Sequence, residues 1–597
     1  MSDLAARLLL LFALALGRQH RSSFSVRLHN LGKIHGARHT LKNLGGKQVD
    51  AFLGIPYAKP PVGDLRFRMP IPWDHKWVKP FKANRLPASC PQTMDEVFGS
   101  FPGSDMWNPD KANMDEDCLY LNIWRPVRPR RRLTKAGVMV WIYGGGFYGG
   151  TTSLPLYNGR ILAAEQDIIV VSINYRVGAL GFMHLPHKDT PANVGLFDQR
   201  VALKWVQQHI SAFGGDPKNV TLFGESAGSV SVSMHLLSSH SWNLFNRAIM
   251  QSGTANMPWA TLTIEQAHAR AKHFAKLVGC KKSSNTPVDY IVQCLKNQSY
   301  EYLIERQWLG VSRGIMQFPF IPVIDGVFLT EHPNSSLFHG SFKKCPIILG
   351  SNANEASFFM IYELSNWINL TYSTMDSSTY KSGLRKLFEY FPQYPMRINS
   401  FGLDAIHFQY AHHANYDDTE ANLASLDAAV SDHQFVCYVN QFGDYYDKAG
   451  QRVYYYYYTH RFDNNPWPKW MGALHGDEIL FIFGEPLKRY PKFEFSKKER
   501  DLSMLMGRLW VNFAKSGDPN LRYKNERRLG GKLWPSYKAK TKQYLELNLL
   551  TPDNNKSKEY YKAQYRGLRL KRCVFWLDYM PNLIRSTGRS IFYQFSS

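Results

Sequence analysis

Five residues, Gly224-Glu225-Ser226-Ala227-Gly228, constrain this chain more than any other stretch. They follow an apolar, β-branched run, Asn219-Val-Thr-Leu-Phe, and open a helical one that reaches Leu237. A serine carried between strand and helix sits on a tight turn, and glycines two before and two after it keep neighbouring backbone from colliding. Such a turn lifts the Ser226 hydroxyl above the carboxyl edge of a parallel sheet, at a helix N-terminus that favours developing negative charge. The surrounding sequence has the matching rhythm. Residues 138–143 and 168–174 read as short strands covered on both faces, and 199–209 as a helix. Strands alternating with helices predict an α/β protein with a mostly parallel central sheet flanked by helices.

Within that architecture Ser226 reads as the nucleophile of an α/β-hydrolase fold. A serine hydroxyl is weak until a histidine takes its proton, and the histidine needs an acid to fix its tautomer. In this fold the chain order is serine, acid, histidine, with the last two on loops after later strands. A strand-like stretch at 346–350 is followed by Ser351-Asn-Ala-Asn-Glu355, which offers Glu355 as the acid; Asp325, in Val-Ile-Asp-Gly, is the rival but suits a turn. His433, His460 and His475 all lie downstream, and position favours His475, on a loop well after the tyrosine-rich strand read at 453–459. Ester cleavage also builds an oxyanion that needs N–H donors in place. Gly144-Gly145-Gly146-Phe147 directly follows the strand ending at Tyr143, so Gly145, Gly146 and Ala227 are assigned as the donors.

The 597 residues show no repeat and no linker, which predicts one catalytic domain over 18–597 with a basic C-terminal segment from about 556. Residues 1–17, with Arg7 ahead of an apolar run, read as a secretory signal; no later stretch is long enough for a membrane span, and 590–597 lacks a lipid-anchor tail. A secreted, extracellular protein is expected. Its seven cysteines then become disulfide candidates, among which spacing alone does not choose partners, with Cys345 left over as a buried thiol. Sequons stand at Asn219, Asn297, Asn334, Asn369 and Asn555; Asn219 begins a strand aimed at the site and is not expected to be glycosylated. The net charge is +24, with basic clusters at 128–132 and 556–572. The signal and the lack of a recognition module argue against nucleic acid, leaving a solvated basic surface or binding to acidic extracellular matrix glycans. Nothing in the sequence calls for a cofactor or a metal.

From about Gly54 to about Trp576 the chain resembles the type-B carboxylesterases and, within them, the cholinesterases. Asp117-Cys118-Leu-Tyr-Leu-Asn-Ile-Trp124, residues 144–150 and 223–228, and Trp470-Met-Gly-Ala-Leu-His475-Gly carry the match. The resemblance implies a deep aromatic gorge, the triad Ser226, Glu355 and His475, and disulfides joining Cys90 to Cys118, Cys280 to Cys294 and Cys437 to Cys573. It also implies hydrolysis of acetylcholine to choline and acetate through an acetyl-serine, ending cholinergic signalling at the synapse. A quaternary ammonium cannot donate a strong hydrogen bond, so it is held by ring faces, tryptophan best of all. Ser104-Asp-Met-Trp107-Asn-Pro resembles the choline-site segment, making Trp107 the platform, with Phe358, Tyr362, Tyr157 and Glu225 in support. Asp95, Tyr148 and Trp308 resemble the outer, peripheral cation site, where Thr93 stands in place of an aromatic and predicts weaker binding.

The acyl pocket is assigned to Trp259, Met316, Phe318 and Phe359. Vertebrate acetyl-preferring members have an aromatic where Met316 stands, so acetyl is expected to be preferred with some butyryl tolerated. Asp477 stands where vertebrate members carry an aromatic and is expected to add negative charge near the choline end; such departures are more invertebrate-like. Asp95, Asp105, Asp110 and Glu225 are expected to keep the entrance negative. Activity should fall below roughly pH 6 to 7 as His475 protonates. The alternatives are a general carboxylesterase of neutral esters and a non-catalytic, cholinesterase-like adhesion protein, a group that typically lacks a triad member. An amphipathic run at 560–584 offers a dimer helix, but no cysteine follows Cys573, so a non-covalent homodimer and a monomer both stay open.

Overall fold

The computed structural model describes residues 23–128, 134–311, 315–388, 398–520, 534–549 and 564–588. The signal at 1–17, the sequon at Asn555 and most of the basic residues at 128–132 lie outside them, as does the first part of the basic 556–572 segment.

Thirteen strands form one sheet among the described residues. An antiparallel flank is built from β1 (Ser23–Leu28), β2 (Gly32–Leu41), β3 (Lys47–Pro56) and β5 (Tyr120–Pro126), with the short β4 (Phe81–Lys82) alongside β2. The parallel centre runs β7 (Ile169–Ile173), β6 (Ala136–Ile142), β8 (Gly215–Glu225), β9 (Arg247–Gln251), β10 (Ile347–Asn352), β11 (Val453–Tyr458) and β12 (Gln543–Leu547), with antiparallel β13 (Gln564–Arg566) at the far edge. Every residue of β6, β7, β9 but its first, and β10 is buried. Strands read from sequence as buried are so because helices pack against them, among them α1 (Val194–His209) and α2 (Ala227–Leu237), which α3 (Ile264–Leu277) follows in the chain. Among the described residues no helix is long and apolar enough to cross a membrane.

The disulfides Cys90–Cys118, Cys280–Cys294 and Cys437–Cys573 are all formed. Cys345 is a buried free thiol, which burial pushes up to about 12. Asp325 caps a turn, its Oδ1 accepting from the N–H groups of Val327, Phe328 and Leu329. Asn219 lies inside β8 rather than at its start, and its side chain is bonded to the Lys515 carbonyl and the Arg247 guanidinium. Two readings need correction. Helix α1 starts at Val194, five residues before the expected 199, and the run at 560–584 is not one helix. After β13 the chain turns at Gly567 (φ +68) and Arg569 (φ 52), and helical stretches then occupy Leu570–Val574, Phe575–Tyr579 and Met580–Gly588.

Candidate active site

The turn between β8 and α2 is as tight as its glycines imply. Ser226 has φ 55 and ψ −127, a strained conformation for a side-chain-bearing residue, secured by its N–H donating to the Gln251 carbonyl at 2.9 Å. A Cβ on Gly228 would lie 2.0 Å from the Ile142 carbonyl oxygen, and one on Gly224 2.6 Å from it, so neither position admits a side chain. The glycine loop after β6 closes over the turn: a Cβ on Gly144 would meet Ser226 Cβ at 2.9 Å. The N–H groups of Gly145 and Gly146 donate to no acceptor among the described residues, and Ala227 opens α2. Gln92 fixes the far end of this loop, accepting from Gly150 N–H at 2.7 Å and donating to its carbonyl at 2.9 Å.

Glu355 follows β10 and His475 follows β11, and the two meet behind the serine. Glu355 is fully buried; its Oε1 accepts from Asn352 N–H at 2.6 Å and its Oε2 lies 2.5 Å from His475 Nδ1. The other ring nitrogen, Nε2, lies 3.0 Å from Glu225 Oε1 without hydrogen-bond geometry. Ser226 Oγ makes no hydrogen bond among the described residues, and the serine–histidine bond that proton transfer needs has yet to close, as is common before substrate binds. Burial pushes the Glu225 carboxyl well above the usual carboxylate range. Burial opposes the His475 imidazolium, but the Glu225 and Glu355 carboxylates outweigh it and hold the imidazole above its ordinary value. The rival histidines are structural: burial lowers His433 to about 3, and His460 is buried against Glu499 at 3.1 Å.

In front of the serine opens a cavity of about 570 Å³, lined by Trp107, Glu225, Ser226, His475, Tyr157, Phe358 and Tyr362, with Asp95, Tyr148 and Trp308 further along it. A Cβ on Gly476 would meet the Trp107 ring at 3.1 Å and Glu225 Oε1 at 3.7 Å, so the indole edge, the carboxylate and His475 share one corner. Tyr362 donates its hydroxyl to Asp95, and the Trp308 indole donates to Thr93 Oγ at 3.2 Å, which gives the threonine a task in a place where an aromatic was expected. Met316, Phe318 and Phe359 line the cavity; Trp259 backs Phe318 edge-on at 5.7 Å instead of facing the opening.

Asp477 departs from expectation. It turns away from the cavity, accepting from Leu474 N–H and the Asn465 amide, and burial raises its carboxyl well above the usual carboxylate range, so its carboxylate does not face the cavity. Asp105 and Asp110 do not line the cavity, whereas Glu363, unforeseen, does. Pattern reading also missed Phe435, whose ring lies 4.9 Å from the His475 ring and 5.8 Å from Phe359. It missed Glu478 as well, a buried carboxylate held by Asn352 and Gln251. Phe435 rides on a π-helical turn, Asp432–Val436, a feature frequent at functional sites but without a sequence signature of its own.

The sequence profile of the carboxylesterase family matches residues 22–576. The chain is 39% identical over 582 residues to a cholinesterase of Mus musculus, covering 97% of this chain and 91% of that protein. It is 41% identical over 544 residues to an acetylcholinesterase of Bungarus fasciatus, covering 90% and 84%. It is 40% identical over 557 residues to acetylcholinesterase 1 of Caenorhabditis briggsae, covering 91% and 86%.

Proposed function

This chain belongs to the carboxylesterase family, and from there we propose that it hydrolyses acetylcholine through an acetyl-serine formed on Ser226. The reading rests on one observation above all. In a chain of net charge +24, the cavity is lined by aromatic rings and by the carboxylates of Asp95, Glu225 and Glu363, with no lysine or arginine among its described lining residues. Such a lining favours a cationic substrate, held by ring faces with carboxylates close by. A neutral ester would leave this arrangement without a purpose.

The ammonium settles on Trp107 beside Glu225, which brings the acetyl carbonyl to Ser226. Neutral His475 takes the serine proton through Nε2 while Glu355 holds Nδ1–H and stabilises the imidazolium. Serine Oγ attacks, and the N–H groups of Gly145, Gly146 and Ala227 take the oxyanion. Choline leaves with the proton from His475, and water, deprotonated by the same nitrogen, releases acetate. The ammonium next to Glu225 also repels an imidazolium, so substrate binding itself favours the neutral base. Phe318, Phe359 and Met316 bound the acyl group. An oxidising compartment, favoured by three disulfides, supports action outside the cell. Exposed Leu570, Val574 and Tyr579 on the C-terminal helical stretches support a non-covalent homodimer.

The test compares acetylthiocholine with phenyl acetate. Trp107→Ala should lower kcat/KM for acetylthiocholine by about thirtyfold, the value of a desolvated cation–π contact of about 2 kcal/mol, and leave phenyl acetate nearly untouched. Equal losses on both, or a wild-type preference for the neutral ester, would replace this reading with a general carboxylesterase.

A further inference from the structure

The positive charge that the cavity excludes is concentrated elsewhere in a particular way. Residues 23–49 contain no aspartate or glutamate, and neither do residues 75–90. These two acid-free stretches lie side by side. Ile34 and His35 of β2 pair with Phe81 and Lys82 of β4, Trp77 N–H donates to the Leu31 carbonyl at 2.8 Å, and Ala83 N–H to the His35 carbonyl at 2.8 Å. Within the ribbon Arg38 is paired with Asp50 and Lys47 with Glu165. The other lysines and arginines, Arg27, Lys33, Lys42, Lys76, Lys79, Lys82 and Arg85, are exposed and have no ion-pair partner among the described residues.

Their placement is costly for a structure left alone. Arg27 and Lys33 are direct cross-strand partners between β1 and β2, both on the outer face, and like charges directly opposite destabilise a sheet. Along the second stretch Lys76, Lys79, Lys82 and Arg85 recur every third residue, while Trp73, Trp77 and Phe81 recur every fourth and stack in a row, with centroids 6.3 and 4.9 Å apart. Val78, between Trp77 and Lys79, is 97% exposed. We infer that this ribbon is a binding surface for a linear acidic polysaccharide, sulfated or carboxylated, which neutralises the cations and lays its apolar sugar edges along the aromatic row. Lys76, Lys79, Lys82 and Arg85 follow one another along a single non-helical segment, which suits a polymer better than a bilayer. The rings are half-buried and stacked on one another, so they cannot plunge into lipid as anchors. Disulfides mark an oxidising compartment, away from nucleic acid.

Binding of the full-length protein to heparin, followed by salt elution and by equilibrium titration, tests the assignment. The triple variant Lys33→Ala, Lys79→Ala, Lys82→Ala should bind about tenfold more weakly and show a shallower dependence on salt, because fewer counterions are released. A control, Lys272→Ala, Lys497→Ala, Lys498→Ala, removes the same charge from exposed sites elsewhere and should change binding by no more than about twofold. Unchanged acetylthiocholine turnover certifies that each variant is folded, and Lys79→Glu alone gives the same reading should the triple variant fold poorly. Equal weakening in both triple variants reduces the interaction to net charge and overturns the site. So does an unaffected ribbon variant, or one whose loss is greater on phosphatidylserine vesicles or double-stranded DNA than on heparin.

Discussion

His475 stands between two carboxylates, and that position governs the acid side of its chemistry. Only the neutral imidazole can accept the Ser226 proton, and its pKa is raised, so activity is lost at a higher pH than an ordinary histidine would impose. The sequence-based expectation of a fall below roughly pH 6 to 7 therefore moves upward. Glu225→Gln removes the negative charge 3.0 Å from Nε2 and should shift the acid limb of the kcat/KM profile to lower pH, which a pH series on phenyl acetate would record. An unmoved limb would mean that Glu225 does not face the working histidine in solution. Ser226 and Glu355 were legible because each follows a strand within a recognisable turn or loop. Glu478, Gln92 and Phe435 were not, since each acts through a partner forty or more positions away in the chain, and nothing local marks it.

At the scale of elements, α3 reaches the segment proposed to bound the acyl group through a single side chain. Arg270 Nη1 donates to the Phe318 carbonyl at 2.7 Å and the Pro319 carbonyl at 3.0 Å, and no carboxylate pairs with it among the described residues. Burial lowers its pKa to about 10, so it stays charged and holds the segment that carries Met316 (φ 59) and Phe318. Replacing it by methionine should release that segment and raise the butyrylthiocholine to acetylthiocholine ratio of kcat/KM about tenfold, the equivalent of one charged hydrogen bond. An unchanged ratio with a lowered Tm would leave Arg270 a purely structural residue. The element boundaries show what sequence can and cannot give. Strands such as β6 and β7 declare themselves through unbroken apolar runs, but α1 begins at a Val-Gly pair that pattern reading treats as a break. The glycine is there because a Cβ on Gly195 would lie 2.5 Å from the Arg176 carbonyl oxygen, so close packing, not local propensity, set that residue.

Across the whole molecule two charge distributions compete for a cationic substrate. The distant surface, net +24, repels it, and the cavity carboxylates attract it at short range. Salt screens the long-range contribution first, because the Debye length falls to about 10 Å at 0.1 M. Raising ionic strength from a few millimolar to physiological should therefore increase kcat/KM for acetylthiocholine by about two- to threefold, with phenyl acetate flat. A decrease would show that attraction by the cavity reaches well beyond its mouth. The turn that carries Ser226, the glycine loop and Glu355 are fixed at the ends of parallel strands, whereas Trp107 and Asp95 hang on the covalent ring closed by Cys90 and Cys118, which touches them through Gln92 at Gly150 and His475's neighbour Gly476 through Trp107. Bond breaking and the indole platform thus reside in separable parts: the ring can be re-lettered to suit another leaving group while the strand ends keep their geometry.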